Sequence, residues 1–116
     1  MEITEINVGT FQGCKALTNV IIPSTVTFIG GYAFDSCISL SLVPEFFANV
    51  ETISSFAFTV CTSFTDIDLT LTNASVIGSQ AFSIEGATIK VAFSNGAKPA
   101  GWAADWYGIC NVEYDA

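Results

Sequence analysis

The chain has 116 residues, 51% of them hydrophobic, which is enough length and apolar content for one domain with a buried core. Three lysines (Lys15, Lys90, Lys98) stand against eleven carboxylates, with no arginine or histidine, for a formal net charge of -8. That balance argues against nucleic acid and against an anionic membrane surface, both of which need clustered cations.

The start, Met1-Glu2-Ile3-Thr4-Glu5, is too acidic and too poor in apolar run for a signal peptide. No stretch approaches the roughly 20 apolar residues of a membrane span. If the protein is exported, its signal has been removed or lies on a longer parent chain. From Ile6 onward the sequence repeats. Phe11, Phe34, Phe58 and Phe82 are separated by 23, 24 and 24 residues, each after a small residue (Thr10, Ala33, Ala57, Ala81). An isoleucine sits five positions earlier in every unit (Ile6, Ile29, Ile53, Ile77), and Cys14, Cys37 and Cys61 sit three positions later, with Glu85 in the fourth unit. Self-similarity at this period is the signature of a solenoid.

Within the first unit Leu17, Val20 and Ile22 form an L-x-x-L-x-L type strand, the pattern of leucine-rich repeats. The third unit gives Phe64, Ile67 and Leu69, and the fourth gives Thr88, Val91 and Phe93. The second gives Leu40 and Val43, then Pro44 with one extra residue, which predicts a bulge. Apolar pairs mark the return side of each coil: Val26 with Ile29, Val50 with Ile53, Ala74 with Ile77. The phenylalanine and cysteine columns fall in a turn carrying small residues, with at most a 3₁₀ turn there. Phe46, Phe47 and Phe56 stand outside the ladder and are expected to pack on the return side, the alternative being an exposed Phe46-Phe47 contact patch.

After Phe93 the register breaks into the turn-rich Ser94-Asn95-Gly96-Ala97-Lys98-Pro99-Ala100-Gly101. Trp102 and Trp106, at i and i+4, fit one face of a short helix started near Pro99, and Ile109–Tyr114 is a last strand candidate. The predicted organisation is four units near 6–28, 29–52, 53–76 and 77–93, with 1–93 forming the repeats and 94–116 an aromatic cap over the open end.

Three of the four cysteines share one column, where stacked turns place equivalent atoms about 4.8 Å apart. The reading is a small half-polar residue packed under each turn. A Cys14–Cys37 or Cys37–Cys61 disulfide is geometrically open, since disulfide Cα separations begin near ~4.4 Å. Cys110 lies outside the column and is assigned to the cap.

Without histidine, a Ser or Cys nucleophile lacks its usual general base. Without a C-x-x-C pair, a zinc site has no close ligands. Asp66 and Asp68 project from one side of the third strand, but an open wet strand face does not split two carboxyl pKa values as acid–base catalysis requires. They also fall short of the 6 to 8 oxygens that calcium takes. Neither an enzyme nor a cofactor or metal is expected. In repeat register Asn19, Leu42, Asp66 and Lys90 form one outward column and Ile21, Pro44, Asp68 and Ala92 the next, with an Asp66–Lys90 salt bridge expected. The candidate partner-binding face is therefore Asn19, Ile21, Leu42, Asp66, Asp68 and Lys90, against the plain alternative of a solvated sheet with no partner. Asn73-Ala74-Ser75 fits a glycosylation sequon, which matters only in a secreted eukaryotic protein.

The I-G-x-x-A-F-x-x-C quartet, the L-x-x-V-x-I-P strand and the Lys98-Pro99-Ala100-Gly101-Trp102-Ala103-Ala104-Asp105-Trp106 ending resemble BspA-type leucine-rich-repeat proteins over nearly the whole chain. The resemblance implies a right-handed, β-rich leucine-rich-repeat solenoid of the α/β horseshoe type, with parallel strands and little helix. It also implies a cell-surface or secreted setting in bacteria or protists, and adhesion to a protein or glycan on a cell or matrix surface. The third and fourth units depart from the pattern, with no Pro after the strand and Glu85 in the cysteine column. The functional expectation is a non-enzymatic binding module for adhesion or protein–protein interaction. The alternative is a structural segment of a longer array that self-associates through its N-terminal edge, near Ile3 to Phe11.

Overall fold

A computed structural model describes residues 3–115. Met1 and Glu2, the first residues of the acidic start, and Ala116, the last of the proposed cap, lie outside the described residues. The chain winds as a parallel-strand β-solenoid of about five turns. Its elements are β1 (Glu5–Ile6), β2 (Phe28–Ile29), a 3₁₀ turn (Pro44–Phe47), β3 (Thr52–Ile53), β4 (Asp66–Asp68), β5 (Val76–Ile77), β6 (Thr88–Lys90) and β7 (Asn111–Glu113). One sheet runs β1-β2-β3-β5 and the other β4-β6-β7, every pairing parallel. No α-helix occurs among the described residues.

The return-side sheet follows the sequence columns. Ile6 pairs with Ile29, Ile29 with Ile53 and Ile53 with Ile77, and all four isoleucines are buried. Adjacent turns are then tied by backbone bonds that run forward through the coil, such as Phe11 N to Ala33 O at 2.8 Å, Phe34 N to Ala57 O at 2.8 Å and Phe58 N to Ala81 O at 2.7 Å. This answers where the polar backbone of so irregular a coil finds partners: each turn uses its neighbour. The stacking leaves no room beside Gly30, where an added Cβ would come within 2.6 Å of Val8 N and 2.8 Å of Ile6 O.

The phenylalanine ladder runs through the interior. Ring centroids are 5.2 Å apart for Phe11–Phe34, 5.1 Å for Phe34–Phe58 and 5.1 Å for Phe58–Phe82, with interplanar angles of 14°, 6° and 3°. Phe46 and Phe47 are buried and meet the ladder edge-on, so they belong to the core. They arrive on the 3₁₀ turn, which replaces the expected bulge. Pro44, at its first turn, has no N–H to leave unpaired and a φ suited to helical entry. Phe56 instead stacks on Tyr32 at 5.1 Å on the coil's outer corner.

The cysteines are all free. Their column has a specific job: Cys37 Sγ donates to Phe11 O and Cys61 Sγ to Phe34 O, both at 3.0 Å, giving a second donor to a carbonyl in the turn before. Cys110 Sγ likewise donates to a carbonyl of the turn before, Phe82 O, at 3.3 Å. Its N–H also bonds Tyr107 O, as those of Cys14 and Cys37 bond Phe11 O and Phe34 O. Cys110 is therefore a member of the column. Trp102-Ala103-Ala104-Asp105-Trp106-Tyr107-Gly108-Ile109-Cys110 spans the same nine places of a turn as Ile29 to Cys37, and no helix forms after Pro99 among the described residues. Trp102 takes the isoleucine place, bridging to Ile77, and its Nε1 donates to Ala74 O at 2.9 Å.

The coil geometry exacts left-handed backbone. Tyr32, Ser36, Phe56, Val60 and Gln80 have φ between 52° and 61°, at places where the first turn uses Gly9 and Gly13. For β-branched Val60 this is an unfavourable conformation, held by the turns on either side.

Candidate functional site

The second sheet presents the outward face. Ile67, Ile89 and Leu69 point inward, so the alternation of the strand sends Asp66, Asp68, Thr88, Lys90, Asn111 and Glu113 outward or to the margin. The register sets Asp66 beside Thr88, which in turn faces Asn111, and Asp68 beside Lys90, which in turn faces Glu113. Asp66 therefore does not face Lys90, and the expected pairing of those two is replaced by an Asp68–Lys90–Glu113 row. The cause is a fourth turn two residues shorter between its phenylalanine and its strand. Ile84, and not Glu85, takes the cysteine place, its carbonyl bonded by Ala87 N, and Ala87, Ile89 and Val91 are the inward residues where Thr88, Val91 and Phe93 were expected. Asp66, Ile67, Asp68, Thr88, Lys90 and Glu113 line a shallow hollow of about 250 Å³.

The two aspartates are not equivalent. Asp68 Oδ1 accepts from Thr70 Oγ1 at 2.6 Å and from Thr70 N at 2.9 Å, closing the turn after β4. The Thr70 hydroxyl and then its N–H hold the Asp68 carboxyl below the usual range against the opposing effect of burial, with the charge of Lys90 as the smallest contribution. Asp66 is exposed and free to meet a partner. A carboxyl held ionised beside an open neighbour is the reverse of an acid–base dyad.

The remaining predicted residues separate. Leu42 is 6% exposed, so it points into the core and is withdrawn from the face. The reason is alternation: Leu40 and Leu42 are both inward, which turns Val43, the expected inward residue, to solvent at 54% exposure. Asn19 and Ile21 are exposed on the first turn, but no regular strand forms there, so they share no sheet with Asp66. They stand near a separate groove of about 160 Å³ lined by Val20, Ile21, Ile22, Pro23, Val43, Glu45, Phe46 and Asn49. Thr88, Asn111 and Glu113 are face residues that sequence reasoning missed. The signal for the last two was Trp102–Cys110 in register with Ile29–Cys37.

The three buried thiols offer no nucleophile. Burial pushes Cys61 up to about 12 and raises Cys37 and Cys110 as well, so these groups stay protonated near neutrality. No cluster of three or more Cys, Asp or Glu fit for a metal occurs among the described residues. No helix among the described residues is long and apolar enough to cross a membrane.

A family model described as the BspA type leucine rich repeat region matches residues 1–101 in six copies. No curated protein and no solved structure matches the chain.

Proposed function

We propose, from the premise that this chain belongs to the BspA-type leucine-rich-repeat family, that it is the non-enzymatic binding module of a surface or secreted repeat protein. A leucine-rich-repeat array of this family is a protein-interaction architecture, and the family is commonly surface-associated. The finer reading is adhesion to a protein or glycan on a cell or matrix surface, through the face carrying Asp66, Asp68, Lys90 and Glu113. The observation that carries it is a row of polar side chains standing on strands whose alternate residues, Ile67 and Ile89, are locked in the core. Rigid backbone under exposed polar groups lowers the ordering cost of recognition. Residues 94–116 act as the closing unit of the array, with Trp106 set edge-on against Phe82, the last rung of the ladder.

The test is binding to an immobilised panel of matrix proteins and glycans, beside an Asp66→Lys, Asp68→Lys double variant. Saturable binding that the variant loses supports the sheet face; binding unchanged in the variant, or binding to no member, refutes it.

A second reading is self-association through the first coil. Strand β1 is an edge, and Ile3 and Val8 beside it are 61% and 75% exposed. Sedimentation at high concentration decides it: a strictly monomeric solution sinks this reading.

A further inference from the structure

The groove between the first and second turns lies away from the polar face and has features of its own. The front segments of these two turns run side by side only as far as one bond, Ser41 N to Thr18 O at 3.0 Å. Beyond it the 3₁₀ turn Pro44–Phe47 carries the second turn inward, because Phe46 and Phe47 are drawn into the core. The segments part, and the wedge between them is the groove of about 160 Å³. Its floor is apolar, with Val20, Ile22 and Phe46. Its lips are Ile21, 91% exposed, and Val43.

Two further observations say what fits. First, no backbone N–H from Thr18 to Ile22 donates to another backbone carbonyl among the described residues, so the groove is flanked by an irregular edge with free N–H groups. Such an edge binds an extended peptide by strand addition, with alternate side chains entering pockets. Second, Glu45 is the only ionisable residue among the described residues that line the groove, and none of the three lysines is there, in a chain of net charge -8. The volume suits one side chain: an apolar cavity of about 150 Å³ accepts a benzene-sized guest.

We propose that this groove is a peptide-docking site that takes an extended segment of a partner protein, seating an apolar side chain between Ile21 and Val43 with an adjacent Lys or Arg against Glu45. The inference rests on the binding-module reading and assigns it a second surface.

The experiment is a titration of the ¹⁵N-labelled chain with two acetylated hexapeptides, Ser-Leu-Lys-Leu-Lys-Ser and its twin with Glu for Lys. The basic peptide is expected to shift the amides of Val20, Ile21, Ile22, Val43 and Glu45 saturably, and the acidic twin to bind at least tenfold more weakly. Ile21→Asp, at a side chain too exposed to matter for folding, is expected to abolish the shifts, and Glu45→Lys to reverse the preference. No saturable shift with either peptide, equal binding of both, or shifts confined to β4, β6 and β7 would each overturn the proposal. The Asp66→Lys, Asp68→Lys variant separates the two readings. It keeps hexapeptide binding if the groove is the site, whatever the matrix panel shows, and losing that binding overturns the groove.

Discussion

Replacing Phe58 by Ala removes the middle rung of the ladder. Phe58 is fully buried, stacked at 5.1 Å on Phe34 and on Phe82, and met edge-on by Phe46, Phe47 and Phe64. A buried Phe→Ala change costs about 3 to 5 kcal/mol, and stacked aromatic pairs add ~0.5 to 1.5 kcal/mol each beyond area. The upper end, about 5 kcal/mol, is expected, because turns pinned on both sides by backbone bonds cannot collapse into the cavity. At an unfolding entropy of ~2.1 cal/mol/K per residue, that lowers Tm by about 20 °C. The assay is urea and thermal unfolding followed by far-UV circular dichroism and by fluorescence of buried Trp102 and Trp106. Phe11→Ala is the internal control. Phe11 stacks only on Phe34 and is half-buried, so its loss is expected to cost under half as much. A Phe58→Ala cost below ~1 kcal/mol, or equal costs at the two positions, would refute the ladder as the source of stability.

Three other outcomes follow from single residues. Val60→Gly is expected to stabilise by about 1 kcal/mol, since it relieves a φ of 60° and gives up a half-exposed side chain; a loss of stability would mean that the conformation is not strained. Asp68 has its pKa lowered from 3.8 in the fold, so its contribution is present above pH 3.8 and lost as pH falls through the lower folded value. The stability gap between the parent chain and Asp68→Asn should therefore hold at pH 7 and close on acidification below pH 3.8, and a gap independent of pH would contradict the Thr70 contacts as its cause. Alkylation of the native chain at pH 8 should label half-buried Cys14 first and spare Cys37, Cys61 and Cys110, as mass mapping would read; early labelling of Cys61, whose pKa is about 12, would place that thiol outside the core.

What the sequence made legible is what repeats with a strict period. The isoleucine, phenylalanine and cysteine columns follow from one physical demand, that each turn bury the same side chain against the same side chain of the next, and the register pairs Ile6, Ile29, Ile53 and Ile77 as their spacing implies. Positions reached by counting outward from those columns drifted where turns differ in length. Two missing residues between Phe82 and β6 moved Lys90 from Asp66 to Asp68, and alternation at Leu40 and Leu42 put Leu42 inside. Cys110 was missed because tryptophan and tyrosine replace isoleucine and phenylalanine ahead of it, which conceals the frame from a pattern built on those letters. Pro44 was a correct signal of irregularity, but the aromatics after it, drawn inward by burial, decided the form it took.

The same division explains where this chain can carry function. In a one-dimensional stack each turn's stability comes from its neighbours, and here that coupling is made by inward side chains and backbone bonds. Outward residues such as Asp66 and Glu113 are exposed and make no hydrogen bond to a neighbouring turn through their side chains. They are free to vary with a partner at little cost in folding. Irregularity has the opposite economy: the 3₁₀ turn at Pro44 interrupts the front sheet, so β4 begins it only at the third turn. Phe46 and Phe47 offset that interruption by filling the core, while the segment Thr18–Ile22, left with free N–H groups, becomes the second surface. The regular half of the front thus offers charge and hydrogen bonds on a flat face, and the irregular half offers a concave apolar site with open main chain.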